Sequence, residues 1–308
     1  MATSEPSIAA PPQHRPARSG TPLALLLLFP ALFVLAFMIL VPSIQLLWLS
    51  LTDYSPGVDS GRFVGLDNYL WVLGDPAFQA ALLRNIFYVT VVVSLEVLIG
   101  FGCALVLQQR FPLRALWMAL IIAPYAVSPI VAVVMWKYML DPSFGVVNYM
   151  LTTVGLPAVQ WLSTPTTSMA AIIIVAVWKE FSFTTIVLFS ALVTVPRELY
   201  EAARIDGATA LQNLRFVTLP LIMPAIAIVV LFRVIFTLRE FGIPQTLTGG
   251  GPGRSTEILS LYLYKEAFRY SNFGTGAATG WIMLVVTVLL SSLLLRRTYR
   301  GVFGESPR

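Results

Sequence analysis

The chain has 308 residues, of which 57% are hydrophobic and 11% charged, with a net charge of +5 and a mean hydropathy of +0.80. A soluble globular domain carries about 25% charged residues, so this composition excludes one and describes an all-α polytopic membrane protein. The basic excess fits membrane orientation, which leaves nucleic-acid binding without support.

In chain order, residues 1–20, "MATSEPSIAAPPQHRPARSG", have almost nothing to bury and are expected to form a disordered cytoplasmic tail. Six apolar runs follow, each near the roughly 20 residues that cross a hydrocarbon core. The first lies in the charge-free stretch 19–52. Because further runs follow it, a cleaved signal peptide is a poor reading. The second, 85–108, is interrupted by Glu96, and the third, 115–139, contains Pro124 and Pro129, which predict a kinked helix. The fourth, 168–193, carries Lys179 and Glu180 near its middle. The fifth, 219–237, contains Arg233, and the sixth is 276–295. Helices are expected because lipid leaves backbone groups no outside partner, and barrel-type alternation is absent. The domain reading is a tail at 1–20, a six-helix transmembrane domain at 21–298 with a short helix near 196–208, and a cytoplasmic tail at 299–308.

The positive-inside rule orients these spans. With the N-terminus inside, the inner segments hold Arg15, Arg18, Arg110, Arg114, Arg197, Arg204, Arg215, Arg296, Arg297, Arg300 and Arg308. The longer outer loops carry acids such as Asp53, Asp75, Glu240, Glu257 and Glu266. Both termini are therefore expected in the cytoplasm. Cys103 is the only cysteine and His14 the only histidine, so disulfides, thiolate metal clusters and a Ser-His-Asp triad lack raw material. "TGGGPGRST" at 248–256 is not a phosphate-binding loop, because Arg254 stands where the second glycine is required and no lysine follows.

The most informative stretch is "PRELYEAARIDGATALQNLRFVTLPLIMP" at 196–224. Pro196 suits the first turn of a helix, "RELYEAAR" consists mostly of good helix formers, and Gly207 is a natural stop. The element is far too short to span. Leu199, Ala202, Ala203 and Asp206 share one face, whereas Arg197, Glu201 and Arg204 share another, where neighbours can pair. Spacing alone fits either an amphipathic surface helix or a helix seated in a groove of a cytoplasmic partner.

The run Glu201-Ala202-Ala203, Asp206-Gly207-Ala208, Gln212 and Leu219-Pro220 resembles the EAA motif of permease subunits of ABC importers in the maltose-type, sugar-transporting branch. Leu214 and Val217 depart from the usual Phe and Ile but stay apolar. "FVGLDNYLWVL", "PYAVSPIVAVVMWKYML" and "LTGGGPGRSTEILSLYLYKEAF" are also similar to that branch. The resemblance implies the type I importer permease fold and a place in the cytoplasmic (inner) membrane of a bacterium or archaeon. Its implied partners are a second permease subunit, an ABC ATPase dimer, an extracytoplasmic solute-binding protein and membrane lipid. It also implies that ATP and Mg bind the ATPase, with no cofactor in this non-enzymatic chain. Glu201, Ala202, Ala203, Arg204, Asp206, Gly207 and Ala208 would then be the ATPase-coupling element. Gly249, Gly250, Gly251 and Pro252 would lie in a docking surface for the binding protein, followed by an amphipathic helix starting near Ser255.

Charges inside spans are costly unless paired or facing a cavity. Arg233 is expected to meet an acid from another helix, and Lys179 and Glu180 to point apart so that they do not simply neutralise each other. A path for a sugar or sugar-like solute (an oligosaccharide, polyol or glycerol phosphate) needs hydrogen-bonding groups and flat aromatic surface. Trp178, Lys179, Glu180, Phe181, Ser182, Thr184, Arg233, Phe236, Glu240 and Phe241 offer that mixture. The competing class is an ion-coupled secondary transporter of a small polar solute, although no repeated half is visible. A membrane-embedded enzyme lacks a catalytic cluster.

Overall fold

The computed structural model describes residues 21–57, 61–109 and 111–303, with side chains described from residue 27 to residue 296 outside the two breaks. Residues 1–20 and 304–308 lie outside the described residues, and with them the expected N-terminal tail, His14 and the end of the C-terminal tail. Among the described residues there is no strand, only an isolated bridge between Thr52 and Phe63. The chain divides into two compact units, Met1–Trp48 and Leu49–Arg308.

The described part of the first unit is helix α1 (Thr21–Ser50), which runs on for two residues beyond the unit's end. From Leu27 to Trp48 its apolar side chains are mostly exposed, and Phe29, Phe33 and Phe37 stack in a ladder at helical spacing.

The second unit starts with a short α2 (Asp67–Gly74) and a long α3 (Pro76–Gln108). Helix α3 begins nine residues before the expected start at 85, because Asp75 accepts a hydrogen bond from the Ala77 N–H and Pro76 occupies the first helical position. The expected third span is two helices, α4 (Arg114–Ala126) and α5 (Pro129–Met139), meeting at 100°. Pro129 excludes Ser128 from the helical region, and both Val127 and Ser128 take extended ψ values of 137° and 135°. A kink therefore becomes a full break. After α6 (Val146–Thr153), α7 (Pro165–Thr194) repeats the start of α3, with Thr164 as cap and Pro165 behind it.

A short α8 (Arg197–Ile205) follows, then α9 (Ala210–Asn213), a π-helical turn (Leu214–Thr218) and α10 (Leu219–Leu238). The remaining helices are α11 (Gly242–Leu247), α12 (Leu259–Tyr264), a second π-helical turn (Lys265–Arg269) and α13 (Phe273–Phe303), which outlasts the expected end at 295. Among the described residues five helices are long and apolar enough to cross a membrane, or six if the bent pair counts as one span.

Helices α3 and α7 form the most extensive pairing. A Cβ on Gly100 would lie 2.7 Å from Thr184 Cγ2, so glycine is what lets the backbones approach there. About two turns further on, Gln108 Nε2 donates to the Leu192 carbonyl at 3.3 Å. The two helices thus run parallel in register, which sets Glu96 opposite Glu180. One apolar cluster, with Tyr88, Val92, Ile172, Val175 and Leu238, lies toward the start of α3; a second, with Ala104, Leu188, Leu192, Ile222 and Val229, lies toward its end. The charged side chains fall between the two.

Candidate functional site

Arg233 of α10 is 6% exposed and bonds Glu96 of α3 through both forks, Nε at 2.6 Å and Nη2 at 2.8 Å. Its Nη1 donates to Glu180 of α7 at 2.9 Å. One guanidinium therefore ties the three central helices together, as planar bidentate geometry favours. The expectation that Arg233 meets an acid from another helix describes this arrangement. Glu96 is fully buried, whereas the Glu180 side chain retains 24% exposure.

Lys179 is also buried, donates to the Tyr125 carbonyl at 3.1 Å and stands over the Tyr125 ring at 5.2 Å. It lies 3.9 Å from Glu180, closer than their divergent directions on a helix suggest. The gap is beyond hydrogen-bond length, so each group relies on another partner.

The remaining candidates are dispersed. Ser182 Oγ donates to the Ile121 carbonyl at 2.5 Å, and Thr184 is buried against Gly100, so both contribute to helix packing. Trp178 meets Trp136 of α5 edge-on at 5.6 Å. Phe181 is half-buried beside Glu180, and its carbonyl accepts from Thr185 at 3.0 Å. Phe236 stacks on Phe232 and is 60% exposed, turned away from the buried face that carries Arg233 and Thr237. Phe241 packs on Tyr264 at 5.0 Å, and Glu240 accepts from the Ile243 N–H at 3.0 Å. The structure brings Arg233, Glu96, Glu180 and Lys179 together, and not the aromatic set.

Helix α8 is built differently. None of its residues is buried, and Ile205 is 86% exposed. Pro196 stands just before the helix rather than in its first turn. Gly207 ends it with φ +76°, the left-handed conformation that suits glycine. Thr209 and Gln212 then form a reciprocal capping box that restarts the chain as α9. Among the described residues the expected pairing of Arg197, Glu201 and Arg204 does not occur: each is exposed and none has an ion-pair partner. Leu199, Ile205, Leu211 and Phe216 leave apolar surface open around this element.

At the glycine-rich loop, Gly249 is exposed and Gly251 and Pro252 are half-buried, but Gly250 is buried. A Cβ there would lie 2.9 Å from Lys265 Nζ, so Gly250 is a packing position and not accessible surface. The expected helix does not start near Ser255. Thr256 bonds Thr248 at 2.6 Å and the Gly251 carbonyl at 2.9 Å, and the helix starts only at Leu259, largely buried. The fully buried Glu257 is bonded by Arg254 and by Lys265 Nζ, the latter at 2.5 Å. Its hydrogen bond holds the Arg254 guanidinium above the ordinary range. Tyr262 donates to Asp75 at 2.7 Å; burial and then that carboxylate push its phenol well up. Burial also raises the Glu266 carboxyl.

Sequence reasoning counts Asp75 and Glu257 only as loop acids and passes over Tyr125. The only available signal was the capping pattern Asp75-Pro76; the partners of Glu257 and Lys179 lie in the fold. Among the described residues no group of three His, Cys, Asp or Glu is placed to hold a metal ion.

Residues 96–302 match the family described as binding-protein-dependent transport system inner membrane component. The chain is 37% identical over 275 residues to a probable ABC transporter permease protein, y4oQ, of Sinorhizobium fredii, covering 88% of each. It is 36% identical to the trehalose/maltose transport system permease protein MalF of Thermococcus litoralis, covering 89% of this chain and 91% of the relative. Among solved structures it is similar to a chain of a bacterial alginate ABC transporter in complex with an alginate pentasaccharide-bound periplasmic protein. That likeness has a TM-score of 0.80 at 23% identity and covers 93% of this chain and 99% of the other.

Proposed function

Since the chain belongs to the family of binding-protein-dependent transport system inner membrane components, we propose that it forms one half of the path of an ATP-driven importer for a sugar or sugar-like solute. Its fold is that of a type I ABC importer permease, and it is a multi-pass membrane protein. A second permease subunit supplies the other half, an ATPase dimer binds ATP and Mg on the inside, and a solute-binding protein delivers the solute outside. This chain carries out no covalent chemistry. It sits in the inner membrane of a bacterium or archaeon with both termini cytoplasmic, so that α8 faces the ATPase and the glycine-rich loop faces the binding protein.

The observation that carries this reading is the placement of α8. It is a helix with no buried residue and with open apolar surface, inserted between α7 and the helices leading into α10. Those two long helices carry Glu180 and Arg233, and Arg233 extends the link to Glu96 of α3. A displacement of Glu201 to Gly207 by the ATPase is thereby delivered to the membrane interior. ATP and the loaded binding protein must both favour the same outward-facing state, because only differential affinity shifts a two-state equilibrium. Within the membrane, Glu180 with Lys179 and Arg233 forms the polar part of the path.

The test is uptake by proteoliposomes holding the complex purified from native membranes through this chain. Uptake is expected to require ATP on the α8 side and the binding protein on the other, and to survive ionophores that collapse ion gradients. Uptake by ATP-free vesicles driven by an ion gradient would contradict the proposal.

A further inference from the structure

A cavity of about 560 Å³ opens between α3, the first turns of α7 and the segment after Pro252, away from the charge cluster. Phe87, Met169, Ala170 and Ile173 form its apolar wall, and Arg84 and Thr166 belong to its lining as well. Among the described residues Arg84 makes one hydrogen bond, from Nη1 to the Glu257 carbonyl at 3.3 Å, and pairs with no carboxylate. Most of its N–H donors stay open. A second lining group, the Ser255 hydroxyl, is buried without a hydrogen-bond partner.

Depth decides what chemistry meets these groups. From Arg84 to the end of α3 at Gln108 the helix rises roughly 36 Å, which matches the hydrocarbon core of about 30 Å plus a short margin. Arg84 therefore stands at the boundary between headgroups and acyl chains, with Phe87 and Ile173 on the hydrocarbon side. Exposed Leu83, Ile86 and Ile174 continue the apolar surface away from the cavity. A soluble sugar would find few acceptors on this wall. A phosphodiester on an apolar tail satisfies both halves, because a guanidinium binds phosphate oxygens in a fork and the wall takes methylenes.

We propose that this cavity is a binding site for an anionic phospholipid, its headgroup phosphate on Arg84 with the Ser255 hydroxyl beside it and its acyl chains along Phe87 and Ile173. A net negative headgroup is preferred over a zwitterionic one, since Glu257, the carboxylate that acts on Arg84, is already paired with Arg254 and Lys265. The proposal requires only that the helices sit in a bilayer and is independent of what is transported.

The experiment is native mass spectrometry of the complex released from nanodiscs containing equal amounts of phosphatidylglycerol and phosphatidylcholine. Retained phosphatidylglycerol is expected to exceed phosphatidylcholine about fivefold, the equivalent of one basic residue at a membrane surface. The ratio should fall to parity in Arg84→Gln and stay unchanged in Arg269→Gln, an exposed arginine outside the cavity. Thr166→Trp, which obstructs the cavity and leaves Arg84 in place, should also abolish the preference, so the result does not rest on one variant. Equal retention of both lipids by the wild type, or an unchanged ratio in both cavity variants, would overturn the proposal. Displacement of the lipid by millimolar inorganic phosphate would also overturn it, identifying a site for soluble anions instead.

Discussion

Arg233→Met is expected to abolish transport and cut the amount of folded protein in the membrane sharply. The substitution leaves Glu96 fully buried opposite an apolar side chain, and removing one partner of a buried pair costs roughly 3–5 kcal/mol. Stability in detergent, followed by a fluorescence-detected thermal melt, should drop accordingly. The double variant Glu96→Gln with Arg233→Met removes the stranded charge and should recover most of the melting temperature. It should not recover uptake, because Glu180 still loses the cation that joins α7 to α10. Recovery of both stability and uptake in the double variant would show the network to be a structural clamp alone.

Gly207→Val should have the opposite signature: a folded protein that assembles but does not transport. The residue has φ +76° and a Cβ there would meet nothing within 4 Å, so the cost is chiefly backbone strain. That strain is about 1–2 kcal/mol and is relieved by reorienting the turn that ends α8. Melting temperature should change little. Uptake should fall at least about tenfold, as for loss of a central contact at an interface, while ATP hydrolysis by the complex persists. Parallel loss of ATPase activity and uptake, with no ATPase subunit bound, would instead mean that the turn is needed for assembly.

Much of this architecture is written in hydropathy, and the limits are physical. Long charge-free runs identify membrane helices because lipid allows backbone groups no other solution. Pro124 and Pro129 fit a kink or a break equally well, and only the extended pair Val127–Ser128 decides. The four charges inside the spans stand out in the sequence because they are costly, but Glu96 and Arg233 are 137 residues apart, and their pairing follows from the register of α3 on α7 and the approach of α10. Near Ser255 the local signal misleads. Thr256 has the residue type of a helix cap, yet its hydroxyl is taken by Thr248 and Gly251, and Glu257 is drawn inward by Lys265. The aromatic candidates share the same weakness, since sequence places Phe236 one turn from Arg233 but does not say which face is buried. The α8 stretch is legible for the converse reason: a charged, exposed, glycine-terminated helix depends on little beyond its own residues.

The central claim is that α8 is the contact through which an ATPase drives this chain. Its most direct test places a single cysteine at Ile205, the most exposed large apolar side chain of that helix, in a Cys103→Ser background, and cross-links it in native membranes with and without ATP. A cross-link to a nucleotide-binding subunit whose yield changes on addition of ATP is the predicted result. No cross-link to such a subunit, together with labelling of Ile205→Cys by a membrane-impermeant thiol reagent added outside intact cells, would contradict it.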